Sequence, residues 1–160
     1  MCALLAVSAL ASGASAESDV DKGRYLVNLG GCSECHTPGY FFGKPDEHRL
    51  LGGSDVGFFI PKVGTFVGPN LTPDVDTGLG TWSEDDIVKA ISTGITPDGR
   101  ELASMMPWRR FAKLQPADLH AIAVYLRSLP PVTNKVAGPF GPTEQVTVSV
   151  FKIVPPDASK

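Results

Sequence analysis

What this sequence most plainly lacks is a second pair of cysteines. It has three cysteines in 160 residues, and two of them, Cys32 and Cys35, fall in "GGCSECHTPG" (Gly30–Gly39). A structural zinc site takes four ligands. Cys32, Cys35 and His36 offer three at most, and the neighbours Cys35 and His36 do not readily meet one tetrahedral ion, so zinc is disfavoured. A βαβ pattern is also missing, and a thioredoxin-like redox pair normally sits in one. Positive charge is scarce: the formal net charge is −3 and the isoelectric point about 5.5. A general nucleic-acid binder needs a basic face to displace counterions from phosphate, so that class is excluded. No Ser-His-Asp set, phosphate-binding loop or pair of catalytic carboxylates stands out, and there is no internal repeat. The apolar run near the start is too short to be a stable membrane span, which takes about 20 residues.

Glycine and proline, by contrast, are plentiful at 17 and 14. They predict long ordered loops wrapped over something, more than a compact bundle of long helices. "CALLAVSALA" (Cys2–Ala11) reads as the apolar part of a leader, and Ala14-Ser15-Ala16 has the small-x-small form of a signal-peptidase site. Cleavage is expected after Ala16, although no Lys or Arg precedes the run. The expected organisation is a leader at 1–16, one domain at 17–131 and a Pro/Gly-rich extension at 132–160.

"SDVDKGRYLVNLGG" (Ser18–Gly31) predicts a short helix with acidic residues at its start and Gly30-Gly31 at its end. Val20, Tyr25, Leu26 and Leu29 are expected to share its inward face. From Thr37 to Thr81 no helical or strand pattern lasts, and a loop of that length is reasonable where it lines a bound group. "WSEDDIVKAISTG" (Trp82–Gly94) predicts a helix capped by Ser83, stopped by Gly94 and turned inward on Ile87, Ala90 and Ile91. "QPADLHAIAVYLRSLPP" (Gln115–Pro131) is the strongest helix, with Pro116 at its first position and Leu119, Ile122, Ala123, Leu126 and Leu129 at helical spacing. In the extension, "QVTVSVFKIV" (Gln145–Val154) alternates and reads as extended. "DVDTG" (Asp74–Gly78) is read as a plain turn, because a calcium loop needs further oxygen ligands at defined offsets.

Cys-x-x-Cys-His is the pattern of covalent c-type haem attachment. Each sulfur adds to one haem vinyl group, and a turn of helix separates the two sulfurs by about the required span. His36 then lies beneath the iron as its proximal ligand. One motif implies one covalent haem c, with Cys32 and Cys35 as thioether anchors. A haem iron in an electron carrier takes a sixth ligand, usually a thioether or an imidazole. Beyond the leader the only methionines are Met105 and Met106, in "ELASMMPWRRF" (Glu101–Phe111). Met106 is the candidate because Pro107 stiffens the backbone beside it, and Met105 is its alternative. The competing reading makes both of them core filler. His48, in a charged run, and His120, beside the apolar stripe of the last helix, are imidazole alternatives. Phe58, Phe59, Ile60, Val63, Phe66 and Leu71 are expected to cover the macrocycle. Trp82 and Trp108 read either as haem-packing residues or as core. Arg100, Arg109, Arg110 and Lys113 flank the methionines and would pair with propionates, steer an acidic partner or simply face solvent.

With these motifs the chain resembles the class I c-type cytochromes from about Asp19 to Pro131. The resemblance implies an all-α fold of short helices and long loops around one haem. It also implies that Gly23 and Tyr125 lie where the first and last helices cross, and that Pro69 of Gly68-Pro69-Asn70-Leu71 offers its carbonyl to His36. "GPNLTPDVDTGLGTWSEDDIVKAISTG", "MPW" and "AIAVYLRSLPPV" are similar to cytochrome subunits that serve periplasmic dehydrogenases. Such subunits usually carry three haem motifs and this chain has one, so the likeness leaves the donor open. The implied function is one-electron transfer in the periplasm, free or peripheral to the inner membrane, from a dehydrogenase to a terminal acceptor of the respiratory chain. A haem-based sensor or enzyme with an open sixth position is the alternative.

Overall fold

The computed structural model describes residues 18–152. The expected leader and its cleavage site lie outside the described residues, as do Ile153 and Val154 at the end of the alternating piece. Helix α1 (Asp19–Leu29) starts at Ser18, whose hydroxyl accepts from the Asp21 N–H at 3.1 Å. It closes where the Gly30 N–H donates to the Leu26 carbonyl at 2.8 Å. Gly23 and Val27 are its buried residues, with Val20 and Leu26 partly buried beside them. Tyr25 and Leu29 are 61% and 71% exposed, which corrects half of the expected inward face. The reason is angular. At about 100° per residue, a position two places on from Gly23 or Val27 lies across the helix from the buried stripe.

Helix α2 (Cys32–His36) follows at once, then 3₁₀ turns at Tyr40–Phe42 and Glu47–Arg49. Helix α3 (Glu84–Thr93) has a reciprocal cap between Ser83 and Asp86 and ends on Gly94 at φ 76°. Helix α4 (Trp108–Phe111) is a single turn. Helix α5 (Pro116–Ser128) buries Leu119, Ala121, Ile122, Ala123, Tyr125 and Leu126. It crosses α1 at Gly23, where an added Cβ would overlap the Ala121 carbonyl oxygen and lie 2.6 Å from the Tyr125 Cβ. Only glycine lets the two backbones come this close. Val27, Leu51, Leu79, Ile87, Ile122, Ala123, Tyr125 and Leu126 form the core under this crossing.

The fold is not all-α. Strand β1 (Val56–Ile60) pairs antiparallel with β2 (Gly64–Val67), Phe58 opposite Phe66. Strand β3 (Ser149–Phe151) adds to the other edge of β1 in parallel, giving the order β2-β1-β3. The glycines and prolines of 57–69, read above as loop markers, belong to a hairpin instead, with Gly57 and Gly64 inside its strands. Aromatic and β-branched residues fill its strands, as strand propensity favours. Its turn is carried by Lys62 at φ 66° and by Gly64, whose missing side chain leaves room for the Phe140 carbonyl. The alternating segment of the extension is extended over Ser149–Phe151, as its pattern predicts.

Candidate functional site

The motif is set by a sharp turn between two helices. Gly30 ends α1, and Gly31, at φ 68° in the left-handed region, starts α2. Cys32, Cys35 and His36 then share little more than one helical turn. Cys32 and Cys35 are not joined in a disulfide, and both are half-buried. Burial pushes the Cys32 thiol up to about 11 and raises Cys35 as well, with the Glu34 charge adding to both. A reactive redox cysteine needs the opposite, a depressed thiol that is ionised near neutrality. No group of three or more His, Cys, Asp or Glu side chains suited to a metal ion exists among the described residues.

His36 is buried, and its Nδ1–H donates to the Pro69 carbonyl at 2.7 Å. Burial holds its imidazole below the ordinary value, against the Pro69 bond, which favours the charged form. The ring is thus neutral, fixed in tautomer, and left with Nε2 as the nitrogen open to a metal. Pro69 reaches it because Gly68 carries no side chain: a Cβ there would overlap the Cys35 carbonyl oxygen and lie 3.3 Å from His36 Nδ1. Two further bonds hold the segment. The Gly53 N–H donates to the His36 carbonyl at 2.8 Å, and the Leu51 N–H donates to the buried Thr37 hydroxyl at 3.0 Å. Two thiols one helical turn apart and an imidazole with one open nitrogen are the donors that covalent haem c requires.

The methionine loop is tied to the end of α3. The Leu102 N–H donates to the Gly94 carbonyl at 2.8 Å, and Thr96 N–H to the Arg100 carbonyl at 3.0 Å. Met106 is half-buried, its N–H bonded to the Ala103 carbonyl at 2.9 Å, while Met105 is 49% exposed. The Trp108 ring lies against Gly94, with the Arg109 guanidinium 4.4 Å above it.

A family model described as cytochrome c matches residues 20–130. The chain belongs to the cytochrome c family. With that membership come covalent haem c and electron transfer. This cytochrome is 36% identical over 115 residues to the fructose dehydrogenase cytochrome subunit of Gluconobacter japonicus, covering 70% of this chain and 22% of that one. It is 30% identical over 145 residues to the cytochrome c subunit of the quinone-type alcohol dehydrogenase of Gluconobacter oxydans (strain 621H), covering 87% and 28%. It is 30% identical over 134 residues to the gluconate 2-dehydrogenase cytochrome c subunit of Pantoea cypripedii, covering 81% and 28%. The chain thus spans under a third of the length of these relatives.

The cytochrome's fold brings Cys32, Cys35, His36, Gly68 and Pro69 together, and Cys32 packs against the same core cluster as Leu71 and Trp82. His48 and His120 are exposed; His120 sits 3.8 Å from Glu84. Leu71 and Trp82 pack against the core cluster. Phe58 meets Phe41 and Phe151 on the sheet, with ring centroids 5.5 and 5.9 Å away, and Val63 is exposed beside the hairpin turn. Asp74-Gly78 is a plain turn, in which the Asp74 carboxylate accepts from the Thr77 N–H and hydroxyl. Among residues whose part the sequence did not reveal, Gly68 had a signal, a glycine before proline at the end of an apolar run. Thr37 had none.

No helix among the described residues is long and apolar enough to cross a membrane.

Proposed function

We propose that this chain is an exported cytochrome with a single haem c, held by Cys32 and Cys35 and ligated by His36 and Met106. In this reading it takes electrons from a periplasmic dehydrogenase and passes them toward the respiratory chain. The bond from His36 Nδ1 to the Pro69 carbonyl carries this reading, because it turns the histidine that follows the two thiols into a single-nitrogen ligand. The bound group supplies an iron that alternates between ferric and ferrous.

The protein's contribution is geometric and electrostatic. Cys32 and Cys35 anchor the macrocycle against α2. The Pro69 carbonyl holds the Nδ1 proton, which orients the ring and makes Nε2 a better donor. Met106 is favoured over Met105 by its burial and by Pro107, which restricts the backbone next to it. A neutral thioether opposite histidine raises the potential relative to two imidazoles. The dehydrogenase partner is supported by the names of three relatives, each a cytochrome subunit of a dehydrogenase.

Near-infrared absorption of the oxidised protein tests the ligand set. A methionine–iron charge-transfer band is expected, lost in Met106→Ala and retained in Met105→Ala. A high-spin ferric spectrum in the unaltered protein would overturn the methionine and favour a sensor or enzyme with an open sixth position. Co-purification from native periplasm or membranes tests the partner: a dehydrogenase that comes along supports it, and isolation of the cytochrome alone counts against it.

A further inference from the structure

The C-terminal extension is built into the support of His36. Beyond α5 the chain runs back across the Gly-Pro-Asn-Leu segment. The Val132 carbonyl accepts from Asn70 Nδ2 at 2.6 Å, and the Val132 N–H donates to the Thr72 hydroxyl at 3.0 Å. Asn70 is 1% exposed and spends every polar atom of its side chain here. Its Oδ1 accepts from the Thr72 N–H at 2.9 Å and hydroxyl at 2.8 Å, and its Nδ2 also donates to the Thr77 hydroxyl at 3.1 Å. Asn70 directly follows Pro69, whose carbonyl holds the His36 ring.

A second line reaches the backbone of His36. The Asn134 N–H donates to the Thr77 hydroxyl at 3.0 Å, and Asn134 Nδ2 donates to the Gly52 carbonyl at 2.7 Å. Gly52 precedes Gly53, whose N–H donates to the His36 carbonyl at 2.8 Å. A side chain on Gly53 would overlap Val136 Cγ2. The extension therefore touches both residues adjoining the two bonds that fix His36.

We propose that Asn70 and Asn134, with the Val132 backbone and Val136, are positioning residues for the axial histidine. The extension is a clamp that sets the strength of the His36–Pro69 hydrogen bond and thereby the reduction potential. The inference rests on His36 being the iron ligand. A tight Nδ1–H···O=C bond gives the imidazole more anionic character and stabilises ferric iron. Loosening the clamp weakens the bond, and the potential rises.

Asn70→Ala would strand buried partners and unfold the chain, so the test uses the haem-loaded protein with Asn134→Ala, Asn134→Asp and the milder Val136→Ala. Glu144→Ala is the control, since that residue lies in the extension and its carboxylate accepts from the nearby Gly141 N–H, away from Asn70 and Gly52. Two quantities are read: the midpoint potential, and the His36 Nδ1–H proton resonance of the reduced, diamagnetic protein. In the three clamp variants the potential is expected to rise, the resonance to move upfield and its exchange with solvent to quicken by about tenfold. Asn134→Asp should exceed Asn134→Ala, because it sets a carboxylate against the Gly52 carbonyl. Variants that melt earlier yet keep both quantities at their original values would reduce the extension to a stabilising wrap and overturn the clamp. An equal response in Glu144→Ala would overturn it too. Absence of a His36-ligated low-spin haem in the unaltered protein would instead sink the ligand assignment itself, a separate failure seen before any variant is made.

Discussion

At the scale of single residues, the site turns on what is missing from Gly68 as much as on what His36 carries. His36 keeps one ring nitrogen open only because the other is held at 2.7 Å from the Pro69 carbonyl. That carbonyl arrives only because Gly68 lets its strand of chain lie on the Cys35 carbonyl. Gly68→Ala forces backbone against backbone, with no flexible side chain able to yield. It is expected to cost about 3 kcal/mol of stability, the upper part of the overpacking range, and to lower the yield of haem-loaded protein. Chemical denaturation and haem-stained gels read the two effects, and an unaltered unfolding midpoint would refute the close approach. The motif Cys32, Cys35, His36 was legible in the sequence because the attachment chemistry fixes its spacing. The need for glycine at 68 was not, because it is a relation between residues over thirty positions apart.

At the scale of elements, α1 and α5 make the frame. Their contact has a glycine at its centre, an ion pair between Lys22 and Asp118 at its edge and Tyr125 packed into it. Gly23→Ala drives a methyl group into the Ala121 carbonyl and Tyr125 Cβ, so the helices must move apart. The expected loss is again about 3 kcal/mol, seen as an earlier unfolding midpoint with little change in helical circular dichroism below it. A stability equal to that of the unaltered chain would show that the crossing tolerates a wider spacing. The helices α3 and α5 were readable from caps and period, with Ser83, Gly94 and Pro116 at their expected places. The inward face of α1 was half wrong. Leu29 is as apolar as Val27 and Tyr25 carries an apolar ring, and apolarity cannot say which side of a short helix meets a partner. The sheet was missed because Gly57, Pro61, Gly64 and Gly68 looked like punctuation without elements, when Gly57 and Gly64 lie within strands of five and four residues and Pro61 and Gly68 follow their ends.

At the scale of the whole molecule, acid stability follows from carboxylates held by hydrogen bonds, most of them local, with Asp118 bound to Lys22 of α1 and Asp74 also bound to Thr133 of the extension. Hydrogen bonds lower the carboxyl groups of Asp46, Asp74, Asp86, Asp98 and Asp118 below 3.8, from Arg49, Thr77, Ser83, Thr96 and Lys22 respectively. A depressed carboxyl binds fewer protons in the folded state than in the unfolded one. Its contribution is therefore full above 3.8 and fades as pH falls through the lower folded value. The melting temperature is expected to decline as pH drops below about 4, and to decline less steeply in Asp118→Asn, which starts lower and has one titrating group fewer. Identical pH profiles for the two proteins would refute a role for the Lys22–Asp118 pair. The sequence by itself determined the attachment chemistry, the caps and the two long helices, because each depends on residues within a few positions of one another. The resemblance already placed the Pro69 carbonyl against His36; only the tertiary structure decided that the hairpin forms and that residues 132–136 close over Asn70 and Gly52. These are long-range pairings whose partners carry ordinary residues, and nothing in a local pattern distinguishes a loop that ends in solvent from one that ends against the support of His36.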